Sequence, residues 1–186
     1  MKTGNQTTLI NQLVEQHAKQ VHLAAYRILG DPIQAEDVAQ NVFVKLLQLT
    51  PQKLANIKSW RGYLVRLAST AAIDLIRKQS REKGFALNKQ TINIDDSVID
   101  LPSKNHTPSA QLDISRDIVQ FRLALAELTQ QESQVIVLRL IEDFSYQEIS
   151  EQLKISESLV GVTLHRAHKK LISLLNESNF LGVNYE

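Results

Sequence analysis

The recurrence of apolar residues at intervals of three and four constrains this chain more than any other feature. Ile10, Val14, Ala18, Val21, Ala25 and Ile28 form one stripe, the pattern of a helix that buries a single face. Gly30 ends that segment. Asp31-Pro32-Ile33-Gln34 opens the next: Asp31 caps free N–H groups, Pro32 suits the first turn, and Gln34 completes a capping box. Val38, Val42, Phe43, Leu46 and Leu47 then point inward, and Thr50-Pro51 marks a break. A third long helix is expected over about 57–83, with Leu64, Leu67, Ala68, Ala71, Leu75 and Ile76 toward the core.

From 84 to 105 no period is sustained. Asn, Asp, Ser and Lys mix with isolated apolar residues, the composition of a flexible linker. A short apolar patch (Val98, Ile99, Leu101) interrupts it. Thr107-Pro108 opens the second half, and a helix through Ile118, Phe121, Leu125 and Leu128 follows. Thr129-Gln130-Gln131-Glu132 is a capping box for a helix holding Val135, Ile136, Leu138 and Leu140. Ser145-Tyr146-Gln147-Glu148 is another, starting a short helix to about Leu153. A last helix is expected from Glu157 to about Leu175. With six glycines, four prolines and 5% aromatics in 186 residues, the fold class is all-α, two small helical domains joined by a linker.

Several function classes fall away. With no cysteine, disulfides, iron–sulfur clusters and Cys-based zinc sites are excluded, which suits a reducing cytoplasm. The N-terminal segment lacks the apolar core of a signal peptide, and no apolar run approaches the roughly 20 residues of a membrane span. His17, His22, His106, His165 and His168 show no metal spacing, and neither a phosphate-cradling glycine loop nor a nucleophile elbow is present. The expectation is a soluble cytoplasmic protein that is not an enzyme and takes no cofactor.

The net charge of +1 hides an uneven distribution. Lys53, Lys58, Arg61, Arg66, Arg77, Lys78, Arg81, Lys83 and Lys89 stand against only Asp74 and Glu82; an acidic stretch follows, with Asp95, Asp96, Asp100, Asp113 and Asp117. Arg166, Lys169 and Lys170 form a second basic zone. Two such zones suit two contacts with a polyanion, although solvated helix faces give the same pattern.

The short helix, turn and longer helix over 145–174 make a helix-turn-helix, with Ile149, Leu153, Ile155, Val160, Leu164, Ala167 and Leu171 buried. The opposite face presents Ser158, Gly161, Val162, His165, Arg166 and Lys169, where base and phosphate contacts belong. A hairpin packed on its neighbours is the competing reading; the separate capping box of the short helix favours the DNA-binding motif.

Phe144-Ser145-Tyr146-Gln147-Glu148-Ile149-Ser150 and Leu164-His165-Arg166-Ala167 resemble the promoter-reading C-terminal domain of extracytoplasmic-function (group IV) sigma factors. Ala35-Glu36-Asp37-Val38-Ala39-Gln40-Asn41-Val42-Phe43 is similar to that family's segment that binds the polymerase clamp. Tyr63-Leu64, Leu67-Ala68 and Ile73-Asp74-Leu75-Ile76-Arg77-Lys78 are similar to the segment that melts and reads the −10 element. The resemblance implies a region 2 domain over 1–84, a linker over 85–106, a region 4 domain over 107–178 and a tail over 179–186. It further implies contacts with core RNA polymerase (the clamp of the largest subunit and the flap of the second), promoter DNA and a cognate anti-sigma factor.

Residue by residue, Glu36, Asp37, Gln40 and Asn41 would meet the clamp, although without the resemblance they read as solvated charge at a helix start. Lys58, Ser59, Trp60, Arg61, Arg66, Ser69, Thr70, Arg77, Lys78 and Arg81 would hold the −10 strand, cations on phosphates and rings on bases. Tyr63 reads better as core. Ser156, Ser158, Gly161, Val162, His165, Arg166, Lys169 and Lys170 would serve the −35 element.

The chain departs from the family pattern at three places. Asn41 stands where an acid is usual, and Ser69-Thr70 where Arg-Asn is usual. Leu159-Val160-Gly161-Val162-Thr163 replaces the common Thr-Val-Lys-Ser-Arg, removing two cations from the recognition helix. Gly161 permits close backbone approach and Val162 suits a thymine methyl. Lys154 occupies a turn position where glycine is common, which forces a left-handed backbone on a residue that resists it. Altered or weakened −35 recognition is expected. A degenerate sigma-like regulator without −35 readout is the alternative; a dimeric repressor would leave the clamp-like segment unexplained.

Overall fold

The computed structural model describes residues 3–82 and 108–177, and every described element is helical. The linker expected over 85–106, its patch Val98, Ile99 and Leu101, His106 and the tail over 179–186 lie outside the described residues.

The first unit is built on α1 (Thr3–Leu29), α2 (Pro32–Leu47), the short α3 (Pro51–Ala55) and α4 (Trp60–Glu82). Gly30 ends α1 with φ +64°, a left-handed conformation that glycine adopts at little cost, and its N–H donates to the Tyr26 carbonyl at 2.7 Å. Asp31 then caps α2, its carboxylate accepting from the Ile33 and Gln34 amides. Gln34 turns its side chain to the Asp31 carboxylate, donating to Oδ2 at 2.9 Å, in place of the bond to the Asp31 backbone N–H that the expected capping box requires. At the far end of α2 the Gln6 side-chain amide faces the Leu46, Leu47 and Leu49 carbonyls at 3.3, 3.3 and 3.1 Å, tying the start of α1 to the chain leaving α2.

Val21, Ala25 and Ile28 of α1, Val42 and Leu46 of α2, and Leu64, Ala68 and Ile73 of α4 make the first core. Each large aliphatic here contributes about 1.5–3 kcal/mol by burial. Three inward expectations need correction. Val14 is exposed, Leu47 is 53% exposed, and α4 buries Val65, Ala72 and Ile73 more fully than Leu67, Ala71 or Leu75. The α4 stripe is turned by about one position, because α1, α2 and the C-terminal unit all press on this helix. The break at Thr50-Pro51 is itself a cap: Thr50 Oγ1 accepts from the Lys53 amide, opening α3.

The second unit comprises α5 (Pro108–Glu127), α6 (Gln130–Ile136), a π-helical segment (Val137–Ile141), α7 (Tyr146–Leu153) and α8 (Glu157–Glu177). Both capping boxes expected here form reciprocally, Thr129 with Glu132 and Ser145 with Glu148. The π segment corrects a fourth expectation. Its wider turn shifts the register, so Leu140 swings out to 56% exposure while Glu142 turns inward. One contiguous apolar core runs from the first unit into the second, with α4 packed against α5, α6 and α7.

Candidate nucleic-acid interface

Ser59 precedes α4 and its hydroxyl accepts from the Gly62 amide at 3.2 Å, fixing how the chain enters the helix. Lys58, Ser59 and Arg61 are exposed around that entrance. Trp60 stands edge-on to Tyr63, 6.3 Å between centroids, both partly buried against the core. Arg66 stacks over Tyr63 at 5.2 Å, and its Nε is buried with no hydrogen-bond partner among the described residues. Burial pushes that guanidinium below its ordinary pKa, against a smaller raising influence from Tyr63. Lys78 and Arg81 remain exposed farther along.

The remaining −10 candidates face inward. Ser69 is 1% exposed, and its hydroxyl also lacks a partner among the described residues. Thr70 donates to the Arg66 carbonyl and accepts from Gln134 Nε2 at 2.8 Å. Arg77 reaches across to the end of α5, donating to the carbonyls of Ala126 (3.2 Å) and Leu128 (2.7 Å) and to Ser133 Oγ (3.1 Å). Those carbonyls carry the negative end of the helix dipole, which favours a cation.

On α2, Glu36, Asp37, Gln40 and Asn41 are all exposed, with Gln40 donating to Glu36 at 3.0 Å. Asp37 and Asn41 border a groove between α2 and α4 that also takes in Val44, Ala71, Leu75 and Lys78. Val44 is 50% exposed. Sequence reading passed over Val44 and placed Leu47 inward; both are exposed apolar residues of α2.

The helix-turn-helix forms as expected. Lys154 closes α7 with φ 56°, ψ 45°, its N–H donating to the Ser150 carbonyl. Ser150 Oγ donates to the Ile155 carbonyl at 2.6 Å and Ser156 Oγ accepts from the Leu159 amide at 3.2 Å, so Ser156 serves as a cap for α8. Val160, Thr163, Ala167 and Leu171 are buried, whereas Leu153, Ile155 and Leu164 are only partly so. Outward stand Ser158, Leu159, Val162, His165, Arg166 and Lys169. Gly161 is half-buried and faces Tyr146 in a shallow groove with Leu140, Leu164, His165 and His168. Lys170 is drawn to its own unit, donating to the Glu127 carbonyl at 3.1 Å beside Glu132.

Three carboxyl groups are shifted. The Thr129 and Ser145 backbone N–H groups hold Glu132 and Glu148 below the usual carboxylate range. Burial pushes Glu142 up, against the pull of Arg27, its partner at 3.2 Å, and of Arg61. Among the described residues no group of three or more His, Cys, Asp or Glu could hold a metal ion, and no helix is long and apolar enough to cross a membrane.

Residues 13–82 match the family model for Sigma-70 region 2, and residues 118–171 the one for Sigma-70, region 4. The chain is 27% identical to the extracytoplasmic-function RNA polymerase sigma factor SigE of Mycolicibacterium smegmatis, over 91% of its own length and 63% of that relative's. It is also 27% identical to SigX of Bacillus subtilis, over 86% of this chain and 79% of the relative. SigW of the same organism matches at 27%, over 95% and 94%. Among solved structures, the sigma factor RpoE in complex with the anti-sigma factor NepR from Bartonella quintana aligns at a TM-score of 0.49 and 19% identity, covering 89% of this chain and 96% of that one.

Proposed function

We propose, from the premise that this chain belongs to the sigma-70 factors and to their extracytoplasmic-function type, that it binds core RNA polymerase and directs promoter-specific initiation. The observation that carries this reading is the order of its parts: a region 2 match that ends with the basic α4, then a region 4 match that contains a capped helix-turn-helix. The finer assignment is to group IV, with functional domains over 1–84 and 107–178.

Glu36, Asp37, Gln40 and Asn41 meet the clamp of the largest subunit, with Val44 and Leu47 adding apolar contact. Their common exposure on α2 supports this. The flap of the second subunit takes the C-terminal domain, and an anti-sigma factor masks these faces. Lys58, Ser59, Trp60, Arg61, Arg66, Thr70, Arg77, Lys78 and Arg81 serve the −10 strand, by charge and stacking. Ser69 takes part only if its buried hydroxyl is uncovered. At the −35 element, Ser158, Val162, His165, Arg166 and Lys169 are the outward side chains; Ser156, Gly161 and Lys170 act through the cap, the groove and the packing of α8.

A second reading, a sigma-like regulator without −35 readout, is favoured by one observation: Leu159 and Val162, not cations, occupy the outward face of the first turns of α8. Run-off transcription on a genomic fragment library, with core polymerase and with or without this protein, separates the two. New defined transcripts sharing a −35 sequence are expected. Co-purification with core without new transcripts would favour the regulator, and no binding to core would overturn both.

A further inference from the structure

The first two turns of α8 carry no side chain suited to guanine or adenine in two-bond contact. The N-terminal residues of a recognition helix meet the base edges, where Arg or Lys reads guanine and Asn or Gln reads adenine. Residues 157–164 include none of these four types. Glu157 suits a cytosine amine, and a hydroxyl such as Ser158 discriminates little. Thr163 is buried. What this stretch turns outward is Val162, 54% exposed, with Leu159 at its edge. Arg166 and Lys169 stand exposed one and two turns farther on, where cations hold phosphates and fix the register.

Beside Val162 lies an apolar slot. Gly161 faces Tyr146 of α7, and a β-carbon there would sit 3.5 Å from Tyr146 Cε2. A longer side chain would have to lie across the ring; glycine leaves the ring bare. Tyr146 is 40% exposed and braced by Arg139, whose guanidinium lies 5.8 Å from the ring centre. Arg139 is itself tied to the Phe144 carbonyl at 2.9 Å. Leu140, turned out by the π segment, and Leu164 extend the apolar lining, and the exposed His165 and His168 also border it. An apolar centre with cations farther along the helix complements one base edge above the others. Thymine alone presents a methyl group in the major groove, between the phosphate rows.

We propose that Val162 and the Tyr146 ring, uncovered by Gly161, form a methyl-reading surface that selects −35 sites by thymine C5-methyl groups and not by guanine. The proposal rests on the assignment of α8 to the −35 element and adds Tyr146 of α7 to its readers. Each methyl taken out of water against this surface strengthens binding about fourfold.

The full-length protein, alone and bound to core polymerase, is presented with duplexes that carry a random central segment, at low salt, where phosphate contacts alone retain DNA. Retained duplexes are sequenced and then remade with uracil in place of thymine, which removes only the methyl groups. Enrichment of thymine is expected, with binding weakened about fourfold for each methyl lost. Val162→Ser and Tyr146→Ser should bring the thymine-to-uracil ratio toward one and leave affinity for the uracil duplexes at the parent's value, since Arg166 and Lys169 are untouched. Circular dichroism establishes folding; Val162 is exposed, so a folded variant is available even if Tyr146→Ser fails to fold. Enrichment of guanine or cytosine in place of thymine would overturn the proposal, as would retention without sequence preference or a uracil duplex bound as tightly as its parent. A chain that holds core polymerase and retains no duplex would overturn both the proposal and the −35 assignment. Thymine-dependent retention without run-off transcripts would sink the initiation reading and leave the methyl readout standing.

Discussion

Lys154 sits in the left-handed region at φ 56°, where it closes α7 and opens the turn to α8. A side chain there costs roughly 1–2 kcal/mol, while glycine would lose about 0.5–1 kcal/mol of chain entropy. Lys154→Gly should therefore stabilise the protein by about 0.5–1 kcal/mol, seen as a rise of a few degrees in thermal unfolding; a fall would mean that the lysine side chain holds the turn in another way. This strain was legible, because the position between two capped helices takes a glycine in related turns. Asp143, at φ 54°, was not: it follows the π segment, which no local pattern announced. On α8, Val162 is 54% exposed whereas Gly161 faces Tyr146. Adding a cation at the exposed neighbour by Val162→Lys should tighten binding to a −35 duplex and steepen its salt dependence by about one ion. Gly161→Lys should do so less, since its chain must first clear the Tyr146 ring. Unchanged affinity and salt slope in both variants would remove α8 from the −35 contact.

The elements themselves were legible wherever a cap met a period. Thr129 with Glu132 and Ser145 with Glu148 announced α6 and α7, and both boxes formed. Ser145→Ala should cost about 1 kcal/mol, read from denaturant unfolding. Acid should act on the same element. The Ser145 N–H holds Glu148 below the usual carboxylate range, so its stabilisation is complete above that range and is lost as the pH falls through the depressed folded value. Wild type and Glu148→Gln should accordingly differ at neutral pH and converge in strong acid; a gap that persists in acid would mean the box works without the charge. What the period missed at Leu140 has one cause. The Glu142 amide donates to the Val137 carbonyl, five residues back, at 3.0 Å, and this π turn breaks the 3.6-residue count. Leu140, inward by that count, is consequently outward. The turned stripe of α4 has a different origin, a third surface packed on it from far along the chain.

At the scale of the whole molecule, residue types were legible but their partners were not. The basic run could be read off the sequence; that Arg77 would turn to the end of α5 could not, because contacts separated by 49 and 51 residues leave no local trace. The same holds for Glu142, which the register shift buries against Arg27 of α1. Burial raises its pKa, the Arg27 charge lowers it less, and Arg61 of α4 lowers it least. A carboxyl raised in the fold binds its proton more tightly there than in the unfolded chain. Its contribution to stability is thus complete below the usual carboxylate range and declines as the pH rises through the raised folded value, opposite in sign to Glu148. Glu142→Gln keeps the neutral shape and cannot ionise, so its stability should lack that decline. Arg27→Gln removes the strongest opposing charge, raises the carboxyl further and should deepen the loss toward neutral pH. Urea unfolding of the three proteins from about pH 4 to pH 8 tests this directly. Parallel profiles for wild type and Glu142→Gln would mean that the carboxyl is solvated when charged. The seam between α1 and the π segment would then have to open without unfolding, and Arg27 would hold it by packing alone.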